Sequence, residues 1–326
     1  MLMIEKIADG IYRIEIPLPR NPLKYTNSYL IGRFDGFLLV DTGMNRKECR
    51  EALYTALRSL QIDFSKLSVF ITHLHADHIG LAGEVGGEVF FSKTESEIVR
   101  KMLDDPSGYW ETILETYIAN GFPEREAKKM LRLHPGIRYT SMEKIEFSEV
   151  VDGDEIDVGG YLLKCIETPG HSPAHMCLYD EEGKLFFSGD HVLIDITPNI
   201  TWWPFLDNSL GSYLESLEKV YNLDVNLVLP GHRRLWYDLR KRIDEIRRHH
   251  RARLVETLAA LDRPKTAWEI APSITWDLVY TDWEEVHVVQ KWFAVGETIA
   301  HLEYLQKEGL VERDVENGLV KYFKSC

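Results

Sequence analysis

The sequence predicts an α/β (α+β) chain in which strands and helices are layered and chemistry-bearing side chains collect at strand ends. Three observations predict it. Short apolar runs bounded by turn residues recur between residues 4 and 230. Several of these runs end in a small residue followed by His or Asp, as in Thr72-His73, Gly170-His171, Gly189-Asp190 and Gly231-His232. Two stretches, 94–133 and the segment beyond 237, change to helical spacing.

Residues 4–16 read as two short strands around Asp9-Gly10, and Pro17, Pro19 and Pro22 end that pattern. A second pair, 27–31 and 36–40, turns at Asp35-Gly36 and ends on Asp41-Thr42-Gly43. Asp41 has two readings, a helix N-cap or loop brace, and a carboxylate that orients the ligand loop one unit later. Residues 47–61 carry Leu53, Leu57 and Leu60 at helical spacing, and the apolar run 67–71 completes a β-α-β unit.

The stretch 94–133 is expected as a helical insertion of three helices, 96–103, 109–120 and 123–133, with Gly121-Phe122-Pro123 before the last. Its aromatics Tyr109, Trp110, Tyr117 and Phe122 read as the core of a small cap, with a substrate lid as the functional alternative. Strands resume at 149–156 (turning at Asp152-Gly153), 161–167, 175–180 and 185–188; a helix over 213–221 then precedes strand 226–229. A long amphipathic helix over 237–261 is expected to join two domains, 1–244 and 245–326. The second domain reads as helices, including 283–296 and 297–307, then a hairpin of 310–314 and 319–324 turning at Asn317-Gly318. That is the pattern of a winged helix.

Composition narrows the function. At 326 residues, 44% hydrophobic and with a net charge of −14, the chain has material for a sizeable core and lacks the basic footprint of a general nucleic-acid binder. Cys49, Cys165, Cys177 and Cys326 form no C-x-x-C pair and read as reduced thiols. With no signal-like N-terminus and no apolar run of membrane-spanning length, the expectation is a cytoplasmic protein with no membrane partner.

The chemistry is concentrated in Thr72-His73-Leu74-His75-Ala76-Asp77-His78-Ile79-Gly80. Four potential ligands follow a buried strand within six residues, too dense for packing alone, and imidazole and carboxylate are standard ligands for zinc and iron. His171, Asp190 and His232 sit at later strand ends.

Together with Asp41, this set resembles the metallo-β-lactamase fold superfamily, with its H-x-H-x-D-H motif and distant His, Asp and His, over residues 1–240. The resemblance implies an αββα sandwich, here with a helical insertion and a C-terminal winged-helix domain. It implies two divalent ions, zinc first, with iron or manganese as alternatives. His73, His75 and His171 would hold one; Asp77, His78 and His232 the other; Asp190 would bridge. His191 is a competing candidate, read as structural or as a support behind a ligand. The bridging Asp190 is similar to the glyoxalase II, lactonase and nuclease branches, and the C-terminal segments 292–298 and 300–305 resemble the LACTB2-like hydrolases.

The implied activity is hydrolysis of a small-molecule ester or thioester by a metal-bridging hydroxide, with Asp77 and Asp190 as catalytic carboxylates. Phosphodiester cleavage of RNA is the alternative enzymatic reading. A winged-helix regulator is the non-enzymatic one, and a homo-oligomer is possible. Residues 243–326 hold eleven Lys and Arg against fifteen Asp and Glu, and the candidate recognition helix 297–307 carries Glu297 and Glu303 with only Lys307 as a base, so no DNA binding is expected. Residues 233–253 hold nine bases against three acids; they read as a solvated helix face, or, through Arg233 and Arg234 beside His232, as an anion site. Ile200, Trp202, Trp203 and Phe205 read as packing or as the wall of an apolar substrate pocket.

Overall fold

A computed structural model describes residues 3–33, 36–140, 145–277 and 282–325; Asp35 of the expected turn and Cys326 lie outside the described residues. Seven strands form the first sheet in sequence order: β1 (Ile4–Ala8), β2 (Ile11–Pro17), β3 (Tyr25–Arg33), β4 (Gly36–Val40), β5 (Leu67–Ile71), β6 (Val89–Ser92) and β7 (Phe147–Val150). The first four are antiparallel; β4 through β7 pair in parallel. The second sheet runs β12-β11-β10-β9-β8, from β8 (Glu155–Val158), β9 (Tyr161–Glu167), β10 (Met176–Asp180), β11 (Leu185–Gly189) and β12 (Leu227–Pro230). Its pairs are antiparallel except β11 with β12.

Side-chain alternation builds the layers. In β5, Phe70 points into the space between the sheets with Tyr29, Leu38, Met176 and Phe187, while Val69 and Ile71 point outward under helix Lys47–Ser59. Both faces of β5 are thus buried, which is why it reads as one continuous apolar run. Helices Ser209–Tyr221 and Leu239–Ala260 cover the outer face of the second sheet through Leu210, Tyr213, Leu217, Ile243 and Ile246. The result is the expected helix-sheet-sheet-helix order, an α/β sandwich.

Two expectations are corrected. The strand expected over 149–156 is two strands in different sheets, because Val150 pairs with Ser92 of β6 whereas Glu155 pairs with Lys164 of β9. The chain changes sheets at the Asp152-Gly153 turn. The helices expected at 283–296 and 297–307 are one helix, Val288–Lys307. Gly296 reads as a stop signal but lies inside this helix, where a Cβ would stand 2.2 Å from both Thr201 Oγ1 and Tyr117 Oη. It serves close packing.

The insertion folds as helices Lys93–Asp104, Pro106–Ala119, Glu124–Leu133 and Pro135–Arg138. Tyr109, Tyr117 and Phe122 are buried, and Tyr117 stacks on Trp292 with ring centroids 3.6 Å apart, a contact of about 1 kcal/mol beyond its area. Residue 245, the expected domain boundary, lies inside the unbroken helix Leu239–Ala260. The C-terminal segment ends in a hairpin, β13 (Val311–Glu316) and β14 (Leu319–Lys324). Among the described residues no helix is long and apolar enough to cross a membrane.

Candidate metal centre

Strand β5 ends at Ile71, and the next nine residues leave the sheet as a tight loop and the short helix Ala76–Ile79. Thr42 fixes that helix: its amide and hydroxyl donate to the His78 carbonyl at 2.8 and 2.7 Å. His171 follows β9, Asp190 follows β11, and His232 follows β12. The last loop is pinned to β3, because Asn27 Nδ2 donates to the carbonyls of Pro230 (2.9 Å) and Arg233 (2.8 Å), and Tyr29 Oη to Pro230 (2.7 Å). Gly231 needs to be a glycine here, since a Cβ would lie 2.4 Å from Asp190 Oδ1.

All seven residues converge. His73, His75 and His171 form one group, Asp77, His78 and His232 a second, and His73, His78 and Asp190 a third; within each group the ligand atoms lie within 4.8 Å of one another. Asp190 faces both sides, with Oδ2 3.6 Å from His171 Nε2 and 3.4 Å from His232 Nε2, and Oδ1 3.7 Å from His78 Nε2. His73, His78, His171, His232 and Asp190 are buried; His75 and Asp77 are partly open and mark the side that solvent reaches.

The outward hydrogen bonds decide what the inward nitrogens can do. Nδ1 of His78 lies 2.7 Å from Asp41 Oδ2, that of His171 donates to the Asn199 carbonyl at 2.9 Å, and that of His232 to the Tyr25 carbonyl at 2.9 Å. His73 Nδ1 lies 3.0 Å from Thr72 Oγ1, which itself donates to Asp41 Oδ2 at 2.9 Å. Each partner fixes a proton on Nδ1, so Nε2 is the nitrogen that faces the centre. Packed histidines would satisfy both nitrogens. Here His78 Nε2, His232 Nε2 and Asp190 Oδ1 are buried without a hydrogen-bond partner among the described residues, which suits a cation at their focus.

Electrostatics agree. Burial pulls the His78 imidazole down, but Asp41, Asp190 and Asp77 outweigh it and raise its pKa to about 9. His232 is raised likewise, by Asp190 and Asp77 against burial. Burial pushes Asp77 up, yet His78 and His232 hold it below the usual carboxylate range. On the other side burial, followed by His171, lowers His75 to about 3.

Several contributors carry no ligand-like signal in the sequence. Glu95 is buried and accepts from the amides of Leu74 (2.6 Å) and Ala174 (3.1 Å) and from the Ser172 hydroxyl, clasping two ligand loops together. Its only local signal, Ser92-x-x-Glu95, is that of a helix cap. Burial raises its carboxyl to about 7. His175 accepts the Asp190 amide at Nε2 (3.1 Å) and holds Thr168 Oγ1 2.9 Å from Nδ1. His191 belongs to none of the ligand groups; it is buried against the Tyr213 ring.

Residues 21–232 match the family described as the Metallo-beta-lactamase superfamily. The chain belongs to the metallo-β-lactamase superfamily. It is a hydrolase of that superfamily, and the groups of His and Asp fit the divalent metals its members typically bind. Residues 254–325 match the Metallo-beta-lactamase-like, C-terminal domain. A "Beta-lactamase-like protein 2 homolog" from Caenorhabditis elegans is 29% identical over 95% of this chain and 88% of its own. The crystal structure of a metallo-beta-lactamase family protein from Thermus thermophilus superposes with a TM-score of 0.84 at 31% identity, covering 98% of this chain and 100% of that one. An atrochrysone carboxyl ACP thioesterase from Emericella nidulans is 26% identical over 70% of this chain and 57% of its own.

Proposed function

We propose that this protein is a dinuclear metal-dependent hydrolase acting on an ester or thioester. The observation that carries the reading is the position of Asp190, whose carboxylate lies between the His73/His75/His171 group and the Asp77/His78/His232 group. Two divalent ions held there would supply Lewis acidity and a hydroxide at neutral pH. The chain does the rest. Asp41, Thr72, Asn199 and Tyr25 aim the imidazoles, and Asp190 stays ionised, since the surrounding histidines hold its pKa well below the ordinary value against burial. Asp77, the more open of the two carboxylates and held ionised by His78 and His232, is placed to take up a proton from the attacking water and return it to the leaving oxygen or sulfur.

An aromatic side chain borders the partly open His75. The Trp203 ring stacks beside His75 at 5.7 Å, and Phe205, 43% exposed, stacks on Tyr109. An acyl or aromatic group suits this platform, and a thioesterase stands among the relatives. RNA is less well served, because much of the basic stretch is used within the chain. Arg234 pairs with Asp195, Arg247 with Glu218 and Arg253 with Glu297, and Arg242 donates to the carbonyls of Leu193 and Ile196. The regulator reading loses its recognition helix, since Glu297, Thr298, His301 and Leu302 are buried.

The test is a screen of acyl thioesters, lactones, aryl esters and single-stranded RNA with protein loaded with zinc, manganese or iron, alongside metal analysis. Two ions per chain and turnover of a thioester or ester are expected. Cleavage of RNA alone, or a single ion, would overturn the reading.

A further inference from the structure

Two hydrogen bonds that orient His171 from outside the ligand cluster come from the segment between Asn199 and Trp203. The Asn199 carbonyl accepts from His171 Nδ1 at 2.9 Å, and Trp203 Nε1 donates to the His171 carbonyl at 3.1 Å. That segment is in turn held by helix Val288–Lys307 of the C-terminal region. Asn199 Nδ2 donates to Glu297 Oε2 at 2.6 Å, and the Trp202 amide donates to the Gly296 carbonyl at 3.1 Å. Glu297 Oε1 is taken by Arg253 Nη1, whose guanidinium also donates to the Thr275 carbonyl (3.0 Å) and lies over the Trp276 ring at 4.4 Å. Glu297 and Arg253 are both buried.

A buried ion pair is a poor source of stability, because desolvating two charges offsets most of their attraction. Its geometric effect is different. Arg253 leaves Glu297 one oxygen in a fixed direction, and that oxygen fixes Asn199. A neighbouring cluster, His249, His250 and Glu297, has ligand-like spacing, but the guanidinium of Arg253 already occupies the carboxylate there.

We infer that Glu297 and Asn199 are positioning residues: the C-terminal region sets the ring orientation of His171, and through it the metal affinity of the His73/His75/His171 group. The inference rests on the reading of His171 as a metal ligand. Partners one step outside a ligand typically change metal affinity about 10–100-fold when lost.

The experiment is a zinc titration of the full-length apoprotein against a chromophoric chelator, with the apoprotein melting temperature as a parallel readout. Four variants are compared with the parent. His171→Ala is expected to lose one zinc. Asn199→Ala removes only the side-chain link, leaving the carbonyl, and is expected to keep both zincs while binding one about tenfold more weakly, with the apoprotein melting temperature lowered by a few degrees at most because Arg253 still holds Glu297. Asn199→Asp sets two carboxylates face to face and is expected to weaken the same zinc further. Adding Glu297→Gln to Asn199→Asp restores a donor opposite an acceptor and is expected to recover most of the affinity, which a merely structural role would not predict. Parental zinc binding in Asn199→Ala and Asn199→Asp, with one zinc lost in His171→Ala, would overturn the inference alone. Two zincs retained in His171→Ala would overturn the underlying ligand reading as well.

Discussion

The Asp41 carboxylate lies 2.7 Å from His78 Nδ1 while accepting the Thr72 amide at 2.9 Å, so one side chain ties the end of β4 to both ends of the His-rich loop. Asp41 holds this pose with φ of 59°, a left-handed backbone that a non-glycine residue adopts at some cost. Asp41→Ala should therefore weaken zinc binding about 10–100-fold. Asp41→Asn, which keeps the shape without the charge, should fall between. Equilibrium dialysis with zinc checks this, and an alanine variant that binds as tightly as the parent would reduce Asp41 to a loop brace.

Asp190 carries a different prediction, because it faces both ligand groups. Asp190→Ala should lose at least one ion and lower turnover by more than roughly a hundredfold, beyond the effect of any residue that acts only through a ligand. Asp190→Asn should keep the fold, since the Asp190 amide remains bonded to His175 Nε2. A variant that holds two ions at parental activity would remove the bridge from the reading.

The two sides of the centre should load differently with pH. Burial, then like charge from neighbouring imidazoles, keeps His73 and His75 below the usual imidazole range, so neither carries a proton near neutrality. His78, with its pKa raised to about 9, and His232, also raised, hold protons that zinc must displace. Zinc content after dialysis should then rise from about one per chain near pH 6.5 toward two near pH 9, with protons released on the second addition. The apoprotein shows the opposite sign. The stabilisation from protonated His78 is fully present below the ordinary imidazole value and is lost as pH rises through about 9. Calorimetry in buffers of different ionisation enthalpy measures the proton release. Equal uptake at both pH values would contradict the asymmetry.

How much of this was legible in the sequence follows from what each residue must do. Residues 73–78 stand out as candidate ligands because metal ligation needs particular side chains at fixed spacing, and little else places three His and an Asp on one short loop. His171, Asp190 and His232 were legible because each follows a strand and a glycine. The supports were not. Glu95 has the local signature of a helix cap, and Asn199, Arg253 and Glu297 are single polar residues joined across up to 98 positions, with no period to reveal them. Gly296 misled for a physical reason: the property that ends helices, a missing side chain, also lets Tyr117 and Thr201 pack against one. The sheet change between β7 and β8 was hidden because one turn signal serves both a hairpin and a crossing.

Glu303 supplies a stability test remote from the ligands. It lies on helix Val288–Lys307, and burial, reinforced by Asp207, raises its carboxyl to about 7 against the pull of Arg313, Trp202 and Lys307. Its folded pKa therefore exceeds the ordinary glutamate value. Below that value both folded and unfolded chains are protonated and no penalty arises. Between it and about pH 7 the folded chain holds more protons than the unfolded one, so stability falls as pH rises, by on the order of 2 kcal/mol once screening at its accessible edge is allowed for. Glu303→Gln removes the titration. It should melt with the parent near pH 4.5 and about 2–4 °C above it at pH 8, with the gap opening across that window. Parallel melting curves at every pH would mean that Glu303 is solvated in the folded chain, and would withdraw it as a source of pH dependence.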